Sequence, residues 1–194
     1  MLALVGGSLV LIGFGRVVTK QQQNVELDEA CRGLWAFVVD VLGLEMRAVG
    51  VHVWSVKGLK GSRYLDRRST FVIEPRRETQ VIWRKAKGAI GVAWDEDEPK
   101  IANVEHLVER GPDETQFCAI PRAERFGLSW REFRRSRHYR AILATPLRAR
   151  GRVRGVLSVD IQVDGQADKL DTLSQDPQFN NVLTVCEAVL GRRR

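Results

Sequence analysis

The chain has 194 residues, 44% of them apolar and 28% charged. That excludes a disordered polymer and suits one domain with its own core plus a short appendage. A net charge of +7 makes anionic partners natural, from nucleotides to lipid headgroups and acidic proteins, without choosing among them.

Leu2 to Phe14 carries no charge, and Arg16 and Lys20 follow it. As a helix this run rises about 20 Å, against roughly 30 Å of bilayer core. The reading is a short membrane anchor over residues 2–18, which leaves the following domain in the cytoplasm by the positive-inside rule. A soluble first strand or buried helix, a cleaved signal and a remnant of a longer membrane span stay open. Gln21 to Asn24 is a polar linker.

Val25 to Leu44 is an amphipathic helix: Leu27, Cys31, Leu34, Trp35, Val38 and Leu42 recur at three- and four-residue steps. Glu26, Asp28 and Glu29 suit its first turn, and Gly43 closes it. Arg47 to Val56 alternates as a strand, and Gly58 to Gly61 turns into a partner strand over Tyr64 to Glu74, broken at Pro75-Arg76-Arg77. Trp83 to Trp94 is predicted helical.

Leu128 to Tyr139 is a short helix with Ser129 as N-cap. Ile142 to Leu147 and Gly155 to Val159 form a hairpin around Gly151, with Pro146 marking an edge or strand exit. Asp164 to Asp176 is a polar loop. Pro177 starts the last helix, which runs to Leu190 before a basic tail at residues 192–194.

Two stretches carry a resemblance. Tyr139 to Asp160, YRAILATPLRARGRVRGVLSVD, is similar to the C-terminal signature of GAF domains. Lys87 to Trp94, followed by Glu98-Pro99-Lys100-Ile101-Ala102-Asn103, resembles the family's middle helix and loop in the same order and at about the same spacing. The match spans roughly Val25 to Leu190. It implies an α+β fold: an antiparallel sheet with terminal helices on one face and pocket-forming helices and loops on the other, over residues 25–191. It also implies a sensory or regulatory domain that binds a small ligand, anionic ones included, or signals through dimerisation to a separate output protein.

Nine arginines stand between Arg131 and Arg154 against the single Glu132, and arginine offers a planar fork for phosphate or carboxylate. Such a surface reads as a ligand wall, an anionic-lipid contact or a solvated face. Trp54, Phe71, Trp83, Phe117, Trp130 and Tyr139, with Arg134 and Arg137, are the candidate ligand-binding residues, core packing being the alternative for the aromatics.

No catalytic or metal-ligating set is expected. His52, His106 and His138 lie far apart, and there is no H-E-x-x-H, no C-x-x-C and no nucleophile elbow. No cofactor or specific nucleic-acid motif emerges. Cys31, Cys118 and Cys186 read as small buried hydrophobes, reduced in a cytosolic compartment. Cys118 is followed by Ala119, unlike the Cys-His of bilin-binding relatives, and the cyclic-nucleotide pattern is absent.

The expectation is therefore a non-catalytic domain at the inner face of a membrane. The alternatives are a protein–protein adaptor with a collapsed pocket and a small redox enzyme of the free methionine sulfoxide reductase type.

Overall fold

The computed structural model describes residues 3–74 and 80–192, with the backbone alone for residues 3–20. The expected break at Pro75-Arg76-Arg77 and the last two residues of the basic tail lie outside the described residues. So do the side chains of the apolar N-terminal segment. Among the described residues, no helix is long and apolar enough to cross a membrane.

The first element, α1, is a helix over Ala3–Leu42. It runs through Gln21 to Asn24, the stretch read as a linker; there Gln23 is buried and Asn24 Oδ1 accepts a hydrogen bond from Arg68 Nη2 at 2.7 Å. Gly43, at φ 61, ends it. Gly43 N–H donates to Asp40 O and Leu44 N–H to Val39 O, the paired bonds that satisfy terminal helix carbonyls.

A 3-10 turn over Met46–Ala48 leads into β1 (Val49–Lys57), which pairs antiparallel with β2 (Tyr64–Phe71). Next come α2 (Gly88–Glu96), β3 (Lys100–Asn103), α3 (Val104–Arg110), α4 (Glu114–Ala119) and α5 (Trp130–Ser136). The hairpin β4 (Ala141–Ala149) and β5 (Arg152–Ile161) follows, then α6 (Ala167–Gln175) and α7 (Pro177–Gly191). The five strands form one antiparallel sheet in the order β2-β1-β5-β4-β3.

Strand alternation divides the interior in two. Val49, Val51 and Val53 of β1 and Leu157, Val159 and Ile161 of β5 pack against Leu27, Leu34 and Val38 of α1, Leu170 and Leu173 of α6, and Phe179 and Val189 of α7. The opposite face carries a second core around Trp94, Leu107, Phe117, Phe133, Ala144 and Val156, supplied by α2 to α5. The terminal helices thus cover one face and the middle helices the other, the α+β arrangement expected.

Three further elements differ from expectation. Trp83 is not helical: Ala86 and Gly88 take left-handed φ of 57 and 64, so the helix begins only at Gly88, and Trp83 O instead accepts from Leu65 N–H at 2.8 Å. The strand from Tyr64 ends at Phe71, not Glu74. Within the loop read at Asp164 to Asp176, α6 forms because Leu170 and Leu173 share a buried face. Pro146 sits inside β4 opposite Val156, beyond the reach of β3, which pairs only with Ala141 to Ala144. There β4 is the sheet edge, and a residue without an N–H leaves no ladder bond unmade.

Candidate functional site

A cavity of about 390 Å³ opens between the second face of the sheet and the middle helices. Its floor is a polar row across three strands. His52 of β1 stands opposite Thr70 of β2 and Ser158 of β5, so all three point to one face. His52 Nε2 lies 2.6 Å from Asp160 Oδ1 and His52 Nδ1 lies 2.5 Å from Thr70 Oγ1. Trp54 Nε1 donates to Ser158 Oγ at 2.9 Å.

The donor roles follow the tautomer: with the imidazole proton on Nε2, the ring donates to Asp160 Oδ1 and Nδ1 accepts from the Thr70 hydroxyl. The His52 and Asp160 side chains are 8% and 4% exposed. A pair so shielded holds its geometry without competition from bulk water, and both groups line the cavity.

The walls are aromatic and aliphatic: Trp54, Trp83, Phe126, Phe133, Leu107 and Ile142. Gly88 admits Trp83, because a Cβ there would stand 2.5 Å from its Cζ3. Lys87 ties this wall to α5 through a 2.6 Å bond from its Nζ to Glu132 Oε1. Burial raises the pKa of Glu132, but the bonds from Lys87 and Ser129 outweigh it and hold the carboxyl below its ordinary value. Ser129 and Glu132 form a reciprocal capping box at the start of α5.

The structure brings Trp54, Trp83 and Tyr139 together around the cavity. Phe71 instead packs on the terminal-helix side, its ring 5.0 Å from that of Trp35. Phe117 and Trp130 lie behind the wall, Phe117 stacked on Phe133 at 4.4 Å and Trp130 5.9 Å from Phe133. Arg134 on α5 and Arg137 at its C-terminal cap are exposed and do not line the cavity. Among the described residues, the arginine that lines it is Arg67, from β2, 5.9 Å over the Trp54 ring.

The rings of His52 and Trp54 are 6.1 Å apart, and sequence reasoning gave His52 no place in the site. It missed the bonds to Thr70 and Asp160. The available signal was a histidine and an aspartate interrupting two β-branched strands on the same face.

The cysteines divide between the faces. Cys31 and Cys186 are buried under the terminal helices. Cys118 of α4 is exposed, against its reading as a buried hydrophobe, and no cysteine lines the cavity among the described residues. Among those residues no group of His, Cys, Asp and Glu could hold a metal ion.

No protein-family model matches the sequence, and no curated protein is significantly similar to it. Solved structures do match in fold. A type II free methionine-R-sulfoxide reductase from Thermoplasma acidophilum is 12% identical with a TM-score of 0.53, covering 88% of this chain and 96% of that one. The GAF domain region of a protein from Geobacter sulfurreducens PCA is 14% identical with a TM-score of 0.51, covering 90% and 99%. Residues 122 to 287 of a methyl-accepting chemotaxis protein are 16% identical with a TM-score of 0.50, covering 87% and 88%.

The first of these corrects one expectation. The reading of a non-catalytic domain does not stand, because the Thermoplasma acidophilum protein is an enzyme of the same architecture and the fold therefore does not exclude catalysis. What the likeness establishes is the architecture itself: this chain has the GAF fold.

Proposed function

We propose that this GAF-fold chain is a sensory or regulatory domain that binds a small amphipathic molecule in the cavity on the second face of its sheet. The observation that carries the reading is the cavity's construction. Apolar aromatic walls surround a floor in which His52, Thr70, Ser158 and Asp160 converge, the combination expected of a site that encloses a flat or aliphatic body and orients its polar end.

Asp160 accepts a hydrogen bond from an ammonium or ring N–H of the ligand, and Arg67 suits a carboxylate. A free amino acid meets both demands, and a small nitrogen heterocycle meets the first through a ring N–H. The reductase neighbour, which by its name acts on a free amino acid derivative, supports that class. The chemotaxis neighbour supports a role in signalling.

Exposed Val25 and Val41 on α1 and Val185 on α7 supply the surface for a second copy. The membrane anchor rests on the sequence of Leu2 to Phe14 alone.

The test is a titration of the full chain with free amino acids and purine and pyrimidine bases, read by tryptophan fluorescence and thermal shift. A ligand at 100 times its dissociation constant adds about 2.7 kcal/mol of stability. The expected hit quenches or shifts Trp54 and Trp83 emission and loses affinity in Trp83→Ala. Binding left unchanged by Trp83→Ala would place the ligand elsewhere and overturn the reading.

A further inference from the structure

A second cleft, of about 290 Å³, lies where the tip of the β4–β5 hairpin meets the end of α7. Lys57, Arg150, Arg154 and Arg192 line it together with Ser55. It is separate from the ligand cavity, since β1 turns His52 and Trp54 to one face and Ser55 to the other with Val53.

We propose that this cleft is a binding site for a phosphoanion. Three features of the backbone and side chains converge on it.

The first is Ser55. It is 5% exposed, and its hydroxyl is fully shielded yet has no hydrogen-bond partner. A buried hydroxyl without a partner is uncommon, because the desolvated donor costs stability until an acceptor meets it. An anionic oxygen in the cleft is such an acceptor.

The second is Arg154. β5 pairs Gly155 with Leu147 and Val153 with Arg148, so Arg154 is the extra residue of a β-bulge. A bulge re-aims the side chain it carries, and here that side chain lines the cleft.

The third is Arg150. With Gly151 it makes the two-residue turn, at φ 56 and 70. Glycine, asparagine and aspartate fill the first such position at low cost, whereas arginine carries backbone strain there. The strained turn brings the guanidinium back over α7, where Nη2 donates to Gly191 O at 3.3 Å. Arg192 is balanced by Glu26, 2.6 Å away, and Arg150 and Arg154 line the cleft together with Ser55. Arginine forks with one neutral donor are the groups that recognise phosphate oxygens.

The experiment is a calorimetric titration of the full chain with inorganic pyrophosphate at low ionic strength, repeated with Arg154→Gln and Ser55→Ala. Arg154 is exposed, so Arg154→Gln should keep the wild-type melting temperature in the absence of anion. Pyrophosphate binding is expected in the wild type, weakened at least tenfold by Arg154→Gln and weakened also by Ser55→Ala.

A parallel sedimentation with phosphatidylcholine vesicles, with and without a phosphoinositide, separates the sources. Phosphoinositide-dependent sedimentation that Arg154→Gln abolishes assigns the site to a lipid headgroup; its absence beside pyrophosphate binding assigns it to a soluble phosphate ester. No pyrophosphate binding, or equal binding by Arg154→Gln, overturns the proposal.

Discussion

His52 and Asp160 are 108 positions apart in the chain, and their side chains meet at 2.6 Å beneath the cavity. Adjacent strands β1 and β5 make the meeting possible: Asp160 is paired with Gly50 and Ser158 with His52, so the aspartate reaches the histidine diagonally along one face. Neither side chain has enough contact with water to replace its partner.

Removing the imidazole therefore leaves a buried carboxylate short of a donor. His52→Ala is expected to cost about 1–3 kcal/mol, measured by urea unfolding at neutral pH. Asp160→Asn, which keeps an oxygen acceptor for Nε2–H, is expected to cost less. Equal and negligible losses in both variants would show that the pair does not contribute to stability.

Gly88 makes a second prediction. Its φ of +64 is left-handed, and an added Cβ would lie 2.5 Å from Trp83 Cζ3. The left-handed backbone alone costs a non-glycine residue about 1–2 kcal/mol, and the clash pushes on an indole that lines the cavity. Gly88→Ala is expected to lower the unfolding midpoint and to shift native tryptophan emission. A variant with wild-type emission would mean that Trp83 does not rest on this glycine.

Local patterns in the sequence reached further than distant pairings. The terminal-helix stripe of Leu27, Cys31, Leu34 and Val38 is all buried, because three- and four-residue spacing reports one face directly. The hairpin around Gly151 and the cap at Ser129 were equally local.

The cavity was less legible. Alternation shows that His52 faces away from Val51 and Val53, but not that Thr70 and Asp160 stand within reach, since register depends on turns and on a shift between Val53 and Trp54. Arg134 and Arg137 entered as site residues on charge density, yet α5 buries Phe133 and Ser136 and leaves Arg134 and the capping Arg137 exposed. α6 escaped because two leucines in nine residues are a weak period.

The capping box of α5 gives a third prediction. Ser129 Oγ accepts from Glu132 N–H, and Glu132 Oε2 accepts from Ser129 N–H at 3.0 Å. Ser129→Ala is expected to cost about 1 kcal/mol. Because α5 supplies Phe133 and Ser136 to the cavity, the same variant should weaken binding of any ligand held there, read as a reduced thermal shift. Loss of stability with unchanged binding would separate the helix from the site.

The thiols supply the last prediction. Burial pushes Cys31 up to about 11 and Cys186 up to about 12 from an ordinary 9.0, with the nearby charge of Asp28 adding to the shift at Cys31 and Ser69 opposing it. In the native protein at pH 8 only the exposed Cys118 should react with a thiol reagent, and all three cysteines after unfolding. The same shifts set a pH dependence. Above pH 9 the unfolded chain loses these thiol protons while the folded chain retains them, so the folded state binds more protons and stability falls as pH rises from 9.0 toward 11. Replacing Cys31 and Cys186 together by alanine should flatten the alkaline decline in unfolding free energy between pH 8 and pH 10.5, even though the starting stability is lower. An unchanged slope would assign the alkaline loss to groups other than these thiols.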